Sequence, residues 1–165
     1  GEEFIHSIAL LNREGLHCSG KVIGGGEAFE TWKALAKKMN APIEFTGPID
    51  HLKVAEEMQG IDILCVPSRT TPQWKEQFGR TLIEGAALGL PLIGSDSGAI
   101  PAVINKLQSG LVFRETNIDD FKEKMKTLLT SEDLYLKYRE RGLKNVRELF
   151  SYPAISKLVL SKLSL

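Results

Sequence analysis

Short apolar runs rich in β-branched residues alternate with stretches of helical periodicity along nearly the whole chain, and that alternation fixes the class of fold. The runs Lys21-Val22-Ile23-Gly24, Ile43-Glu44-Phe45-Thr46, Asp62-Ile63-Leu64-Cys65-Val66, Pro91-Leu92-Ile93-Gly94 and Gly110-Leu111-Val112-Phe113 read as strands punctuated by glycine or proline. Between them, apolar residues recur at helical spacing: Phe4, Ile5, Ile8 and Leu11 before Gly15; Phe29, Trp32, Leu35, Ala36 and Met39; Leu52, Ala55 and Met58 before Gly60. Helices are also expected over Gly79 to Leu88, closed by Gly89, and over Ile100 to Asn105. The run 62–66 shows no polar alternation, as expected of a strand covered on both faces of a parallel sheet. From Ile118 the pattern is helical through Leu129, again from Glu132 to Phe150, and from Pro153 to the end. The expectation is one α/β domain over residues 1–165, a Rossmann-like doubly wound parallel sheet with a helical C-terminal tail.

Composition excludes several classes of function. The 165 residues carry 21 Lys plus Arg against 21 Asp plus Glu, and a net charge of zero argues against a broad nucleic-acid surface. No apolar run approaches the roughly 18–20 residues that span a bilayer. The opening Gly1-Glu2-Glu3 does not read as a signal peptide. Cys18 and Cys65 are lone thiols among apolar neighbours, the usage of a reducing cytoplasm. His6, His17 and His51 are scattered, without the close spacing that a zinc site requires, so no metal and no cofactor is expected.

Ligands on doubly wound sheets bind beyond the carboxyl ends of the strands, which directs attention to the loops after Gly24, Thr46, Val66 and Gly94. The densest chemistry follows Val66: Pro67-Ser68-Arg69, then Glu76-Gln77-Phe78-Gly79-Arg80-Thr81-Leu82-Ile83-Glu84-Gly85-Ala86. Gly79 allows a tight turn into a helix whose first amides are not shielded, an anion site suited to a diphosphate. Glu76 precedes that helix and Glu84 lies one turn beyond Arg80, so two carboxylates flank the amides. A carboxylate accepts two adjacent hydrogen bonds, matching the vicinal diol of a ribose or a hexose. A ligand laid out as sugar, diphosphate and ribose meets these groups in order.

These residues resemble the donor-binding half of retaining glycosyltransferases of the GT-B fold, the glycogen-synthase-like group 1 family. The matching parts are Pro67-Ser68, Glu76, Phe78-Gly79, Glu84, Ala86-Ala87, Gly89-Leu90-Pro91 and Ser95-Asp96-Ser97-Gly98, with Gly24-Gly25-Gly26 and Gly110-Leu111-Val112-Phe113 agreeing more loosely. The resemblance implies that Glu84 binds the ribose hydroxyls and that Glu76 is the catalytic residue, its carboxylate contacting hydroxyls of the donor sugar. It implies that backbone amides at Gly79, Arg80 and Thr81 hold the diphosphate and that the base lies against Gly47, Pro48 and Ile49. Gly25, Gly26, Arg69, Lys75 and Phe78 are further candidate contacts to phosphate or sugar. Such enzymes are generally metal-independent, and Lys75, Arg69 and Arg80 are the basic candidates for neutralising the leaving diphosphate, so catalysis is largely electrostatic.

The chain also departs from that pattern. The family's Arg and Lys ahead of the first helix have no counterpart here, nor does the strand that would precede it, and Ala102 stands where a glutamate is common. The Rossmann-like acceptor domain is missing, so the expectation is a C-terminal portion inactive without it. Expected partners are a nucleotide sugar, that N-terminal domain and a glycan or lipid-linked acceptor, with a cytoplasmic location open to peripheral membrane contact. Lys122, Lys124, Lys126, Lys137, Arg139, Arg141, Lys144 and Arg147 are interleaved with Glu123, Glu132, Asp133, Glu140 and Glu148, which favours a solvated helix face over an anionic-lipid patch. Ile155, Leu158, Val159 and Leu163 give the tail an amphipathic pattern suited to docking on a partner domain or lipid. The rival readings are a non-catalytic subunit that binds a nucleotide sugar or a protein, and a sugar-nucleotide epimerase of the same architecture.

Overall fold

A computed structural model of the chain describes residues 1–151, 153, 154 and 156. The alternation of the sequence becomes α1 (Glu2–Arg13), β1 (Gly20–Val22), α2 (Phe29–Met39), β2 (Ile43–Phe45), a 3-10 turn (His51–Lys53), α3 (Val54–Met58), β3 (Leu64–Val66), α4 (Arg80–Ala87), β4 (Leu92–Ser95), α5 (Ile100–Leu107), β5 (Gly110–Phe113), α6 (Ile118–Thr130) and α7 (Glu132–Phe150). The tail residues Ile155, Leu158, Val159 and Leu163 lie outside the described residues.

All strand pairing is parallel, but it falls into two pieces. β1 pairs with β2, Gly20 opposite Ile43 and Val22 opposite Phe45. β3, β4 and β5 form a second sheet in that order, with Leu64 opposite Leu92 and Leu92 opposite Gly110. Three strands are shorter than the sequence implies, β2 ending at Phe45 instead of Thr46. β1 stops before Gly24, whose positive φ takes it out of the ladder. β3 starts at Leu64 because the amide of Ile61 is drawn back to Met58 in a turn.

The three-stranded sheet separates two apolar cores. On one face Leu92 meets Leu82 and Ala86 of α4 and Ile100, Ile104 and Leu107 of α5. On the other, Ile93 and Phe113 meet Ile8 and Leu11 of α1 and Phe121, Met125 and Leu128 of α6. Adjacent residues of β4 thus point to opposite cores, as the two-residue period of a strand dictates, and all four of its residues are buried. Phe113 and Phe121 stack with centroids 4.3 Å apart. The layering is that of a doubly wound α/β domain, as the sequence implies.

Between β1 and β3 the sheet is interrupted by an apolar cleft of about 1270 Å³. Phe4, Ile8 and Met125 line it on one side and Val54, Met58 and Ile61 on the other. Its upper end reaches Gly24, Ile49, Pro67, Ser68 and Thr81, residues of the loops that carry the candidate site.

Candidate functional site

The site is built from the segment joining β3 to α4, laid over the turn after β4. Gly79 adopts φ +69° at the head of α4 and has no side chain with which to cap the helix. A Cβ at Gly79 would lie 3.2 Å from Leu82 Cδ1 and 3.4 Å from Val103 Cγ2, so both the turn and the packing beneath it suit glycine. The cap comes instead from Glu76. Its Oε1 accepts from the amide of Gly79 at 2.9 Å and from that of Phe78 at 3.3 Å. The amides of Arg80 and Thr81 stand in the first turn, where no intrahelical acceptor exists. They supply the positive end of the helix dipole facing solvent.

Gly98 explains why the segment around Glu76 and the Ser95-Asp96-Ser97-Gly98 turn are linked in the sequence. The Glu76 backbone passes directly over Gly98, its carbonyl accepts from the Ala99 amide at 2.9 Å, and a Cβ on Gly98 would run into that carbonyl. More bonds tie the same loop to the sheet end. Ser95 Oγ donates to the Ser68 carbonyl at 2.6 Å, and the Thr70 and Ser97 hydroxyls lie 2.8 Å apart. The Thr70 amide donates to Glu115 Oε2 at 2.8 Å, and the Glu115 amide donates to Asp96 Oδ1 at 2.8 Å.

Glu84 lies on α4 with its side chain exposed, Oε1 3.7 Å from Arg80 Nη2. Lys75 is exposed and makes no ion pair among the described residues. Phe78 and Trp74 are 58% and 52% exposed, the indole anchored by reciprocal bonds between the backbones of Thr71 and Trp74. The glycine loop and the loop after β2 meet. Gly24 bridges Gly47, the Gly24 amide donates to Thr46 Oγ1 at 3.1 Å, and a Cβ on Gly25 would press on Pro48 Cγ at 2.9 Å. Ile49 lines the cleft with Thr81, whereas Gly26, like Pro48, is exposed.

Arg69 is already engaged within the chain. Its guanidinium is held by two carboxylates of α1: Nη2 lies 2.7 Å from Glu3 Oε1 and 3.2 Å from Glu2 Oε2, and Nε lies 2.8 Å from Glu3 Oε1. Glu3 is only 1% exposed. Burial opposes its ionisation, but a backbone hydrogen bond and the Arg69 guanidinium outweigh that cost and hold its carboxyl below the ordinary value. The pair straps the head of α1 to the loop after β3. No motif announces it, because the partners are 66 residues apart. Burial of its sulfur pushes the thiol of the half-buried Cys65 up to about 12, so it is neutral. Among the described residues no cluster of three His, Cys, Asp or Glu is placed to hold a metal ion, and no helix is long and apolar enough to cross a membrane.

A family model described as Glycosyl transferases group 1 matches residues 2–145. Sucrose-phosphate synthase of Spinacia oleracea is 32% identical over 115 residues, covering 70% of this chain and 10% of that protein. Among solved structures, HepE of Anabaena in complex with UDP matches with a TM-score of 0.81 at 13% identity, over 98% of this chain and 44% of that one. The C-terminal domain of the glycosyl transferase group 1 family protein LpcC of Francisella tularensis matches with a TM-score of 0.76 at 22% identity, over 92% of this chain and 79% of that one. At these identities the structural likeness establishes the fold, the one seen in GT-B glycosyltransferases. The chain spans about a tenth of the length of its plant relatives. The match of a family model to residues 2–145, which include the whole of the α4 site, places the protein in the glycosyl transferases group 1 family.

Proposed function

We propose that the chain is the donor-binding domain of a retaining glycosyltransferase, one that moves a sugar from a nucleotide-diphosphate sugar to a glycan, lipid or other acceptor. The observation that carries this reading is the head of α4, where a glycine-opened turn leaves the Arg80 and Thr81 amides facing outward between the carboxylates of Glu76 and Glu84. Of the three amides expected to hold the diphosphate, that of Gly79 already donates to Glu76 Oε1 at 2.9 Å, so the diphosphate takes those of Arg80 and Thr81, with the Arg80 and Lys75 side chains adding positive charge as the leaving group develops. Glu84, exposed one turn along the helix, accepts from the ribose hydroxyls. The base lies on Gly47, Pro48 and Ile49, beside the glycine loop.

Glu76 has two uses in this scheme. One carboxylate oxygen keeps the Phe78 and Gly79 amides ordered, while the other accepts from a hydroxyl of the donor sugar. A group fixed in this way needs no reorganisation as charge develops at the anomeric carbon. The acceptor and the remaining active-site groups belong to a second domain. Two free thiols and a balanced charge suit a cytoplasmic location, with membrane contact limited to the periphery.

The test is calorimetry with UDP, GDP and ADP alongside transfer kinetics, on the whole enzyme. Glu84→Ala is expected to weaken binding of the preferred nucleotide by about tenfold, the worth of one charge-assisted contact. Glu76→Ala is expected to lower kcat by about 100-fold with little change in nucleotide affinity. Unchanged binding and unchanged rates in both variants would remove the basis of the proposal, and binding without transfer in the wild type would favour a non-catalytic subunit.

A further inference from the structure

Residues 67–79, between β3 and α4, form no helix or strand, so the placement of Glu76 depends on bonds to neighbouring loops. Those bonds fall into two groups. At the start of the segment the Ser68 carbonyl accepts from Ser95 Oγ at 2.6 Å, and the Thr70 and Ser97 hydroxyls meet at 2.8 Å. There too the Thr70 amide donates to Glu115 Oε2 at 2.8 Å. At the far end the Glu76 carbonyl accepts from the Ala99 amide, and the Glu76 carboxylate accepts from that of Gly79, each at 2.9 Å. In between, residues 71–75 are exposed, and their hydrogen bonds among the described residues join Thr71 to Trp74 alone. Arg69 is also held, by Glu3, but through a long side chain, whereas the Thr70 bond grips the backbone itself.

Ser95, Ser97 and Ala99 belong to the turn after β4, so that turn carries bonds of both groups. Glu115 comes from a different loop, the one after β5. Its amide donates to Asp96 Oδ1 at 2.8 Å while its carboxylate accepts from Thr70, so one residue ties together the loops after β3, β4 and β5. The bond to Thr70 has an ionised acceptor, which makes it stronger than a neutral one. The loop that carries Glu115 is itself stiff. The Arg114 amide donates to Asp120 Oδ2 at 2.8 Å, and the Asp120 amide donates to Asn117 Oδ1 at 2.9 Å. Thr116 sits at φ +63°, a conformation that β-branched residues rarely adopt and keep only where their surroundings impose it. Phe113 before the loop stacks on Phe121 after it, both fully buried, which anchors its two ends in the core.

We propose that Glu115 is a positioning residue for sugar transfer. By holding the Thr70 amide it sets the path of the exposed span 71–75, and thereby the place at which Glu76 presents its carboxylate. This rests on the reading of Glu76 as the group that meets the donor sugar. The nucleotide-binding groups have separate support: Arg80, Thr81 and Glu84 ride on α4, whose Leu82 and Ala86 are fully buried. Loss of the Glu115 carboxylate therefore acts on Glu76 and leaves α4 seated. Thr70 is exposed, so water replaces the lost acceptor and the change is felt in geometry more than in stability. A shift of about 1 Å at a reacting group is enough to lower a rate by as much as 100-fold.

Two variants test this: Glu115→Ala, and Glu115→Gln, whose amide oxygen still accepts from Thr70. On the 165-residue chain, hydrogen exchange at the Gly79 amide reads the Glu76 cap, with the Leu88 amide of α4, bonded to the Glu84 carbonyl, as reference. Glu115→Ala is expected to speed exchange at Gly79 by about tenfold relative to Leu88, and Glu115→Gln to stay within about twofold of wild type. On the whole enzyme, donor turnover is read as release of nucleoside diphosphate from UDP-, GDP- and ADP-linked glucose, mannose and N-acetylglucosamine. There Glu115→Ala is expected to lower kcat by about tenfold with unchanged affinity for the nucleotide, and Glu115→Gln to restore it. Unchanged exchange at Gly79 would overturn the proposal, as would faster exchange with unchanged kcat. An equal loss in Glu115→Gln would overturn it in favour of charge alone, and a loss shared with Leu88 exchange or nucleotide affinity in favour of general loosening. A wild type that turns over no donor of the panel would count against the donor-site reading, and exchange at Gly79 would then decide alone whether Glu115 holds Glu76 in place.

Discussion

The two sheets use the same residue types in the same parallel ladder and reach different states of burial. Leu92 and Ile93 in β4 are fully buried, with strands on both edges and a helical layer on each face. Val22 and Ile43 in the β1–β2 pair are half-buried. The difference lies in what surrounds them, since a strand residue is sealed only when its edges and faces are all occupied. The three-stranded sheet also carries the α4 site, so the site rests on the better-covered half of the molecule.

Removing matched side chains from the two sheets tests this difference in burial most directly. Leu92→Ala opens a cavity between β4, α4 and α5 and is expected to cost about 3 kcal/mol. Ile43→Ala removes a similar side chain from a half-covered position and is expected to cost about 1 kcal/mol. Urea denaturation of both variants reads the difference directly. Equal losses would mean that the β1–β2 half is as well covered as the other.

A smaller effect is expected where the loop over the sheet end touches the turn beneath it. Gly98→Ala places a methyl group against the Glu76 carbonyl at φ +53° and is expected to cost about 2 kcal/mol. The loss would include the bond from the Ala99 amide and would disturb the Glu76 cap on α4. Gly60→Ala, where an added Cβ meets nothing within 4 Å, is expected to stay within about 0.5 kcal/mol of wild type. Thermal melts of the pair check this, and a neutral Gly98→Ala would show that the loop is not held by that contact.

Local pattern carried much of this architecture. The five strands and the helices that follow them could be read from β-branched runs, helical spacing and the glycines at 47, 79 and 89, which all take positive φ. The α4 site was legible for the same reason, since Glu76, Gly79 and Glu84 lie within nine residues of one turn and one helix. Asn40 and Gln108, which end α2 and α5 in the left-handed region, were less visible because neither is glycine. The Glu76 cap, the Thr70–Glu115 bond and the Glu3–Arg69 pair left no mark in the local pattern. Each depends on where a side chain is brought by folding, and the last two span 45 and 66 residues.

The Glu3–Arg69 pair yields a smaller effect than Gly98→Ala, and it ties the head of α1 to the loop after β3. The Glu3 carboxyl titrates below its ordinary value in the folded chain, so the unfolded chain takes up its proton first as pH falls. The stabilisation is therefore fully present above the unfolded value of about 4.3 and is lost as pH falls through the folded one. Because Arg69 is partly open to water, Glu3→Gln is expected to cost only about 1 kcal/mol at pH 7, well under the figure for a wholly buried pair. Other carboxyls also titrate low, notably Glu14 at about 2 beside Lys122 and Lys126, but they are common to both proteins and cancel in the difference. Denaturation of wild type and variant at pH 7 and pH 3 isolates the pair: the gap should narrow at the lower pH. A gap of unchanged size at both would assign the strap to packing instead of charge, and the head of α1 would then be held to the loop after β3 without an electrostatic contribution.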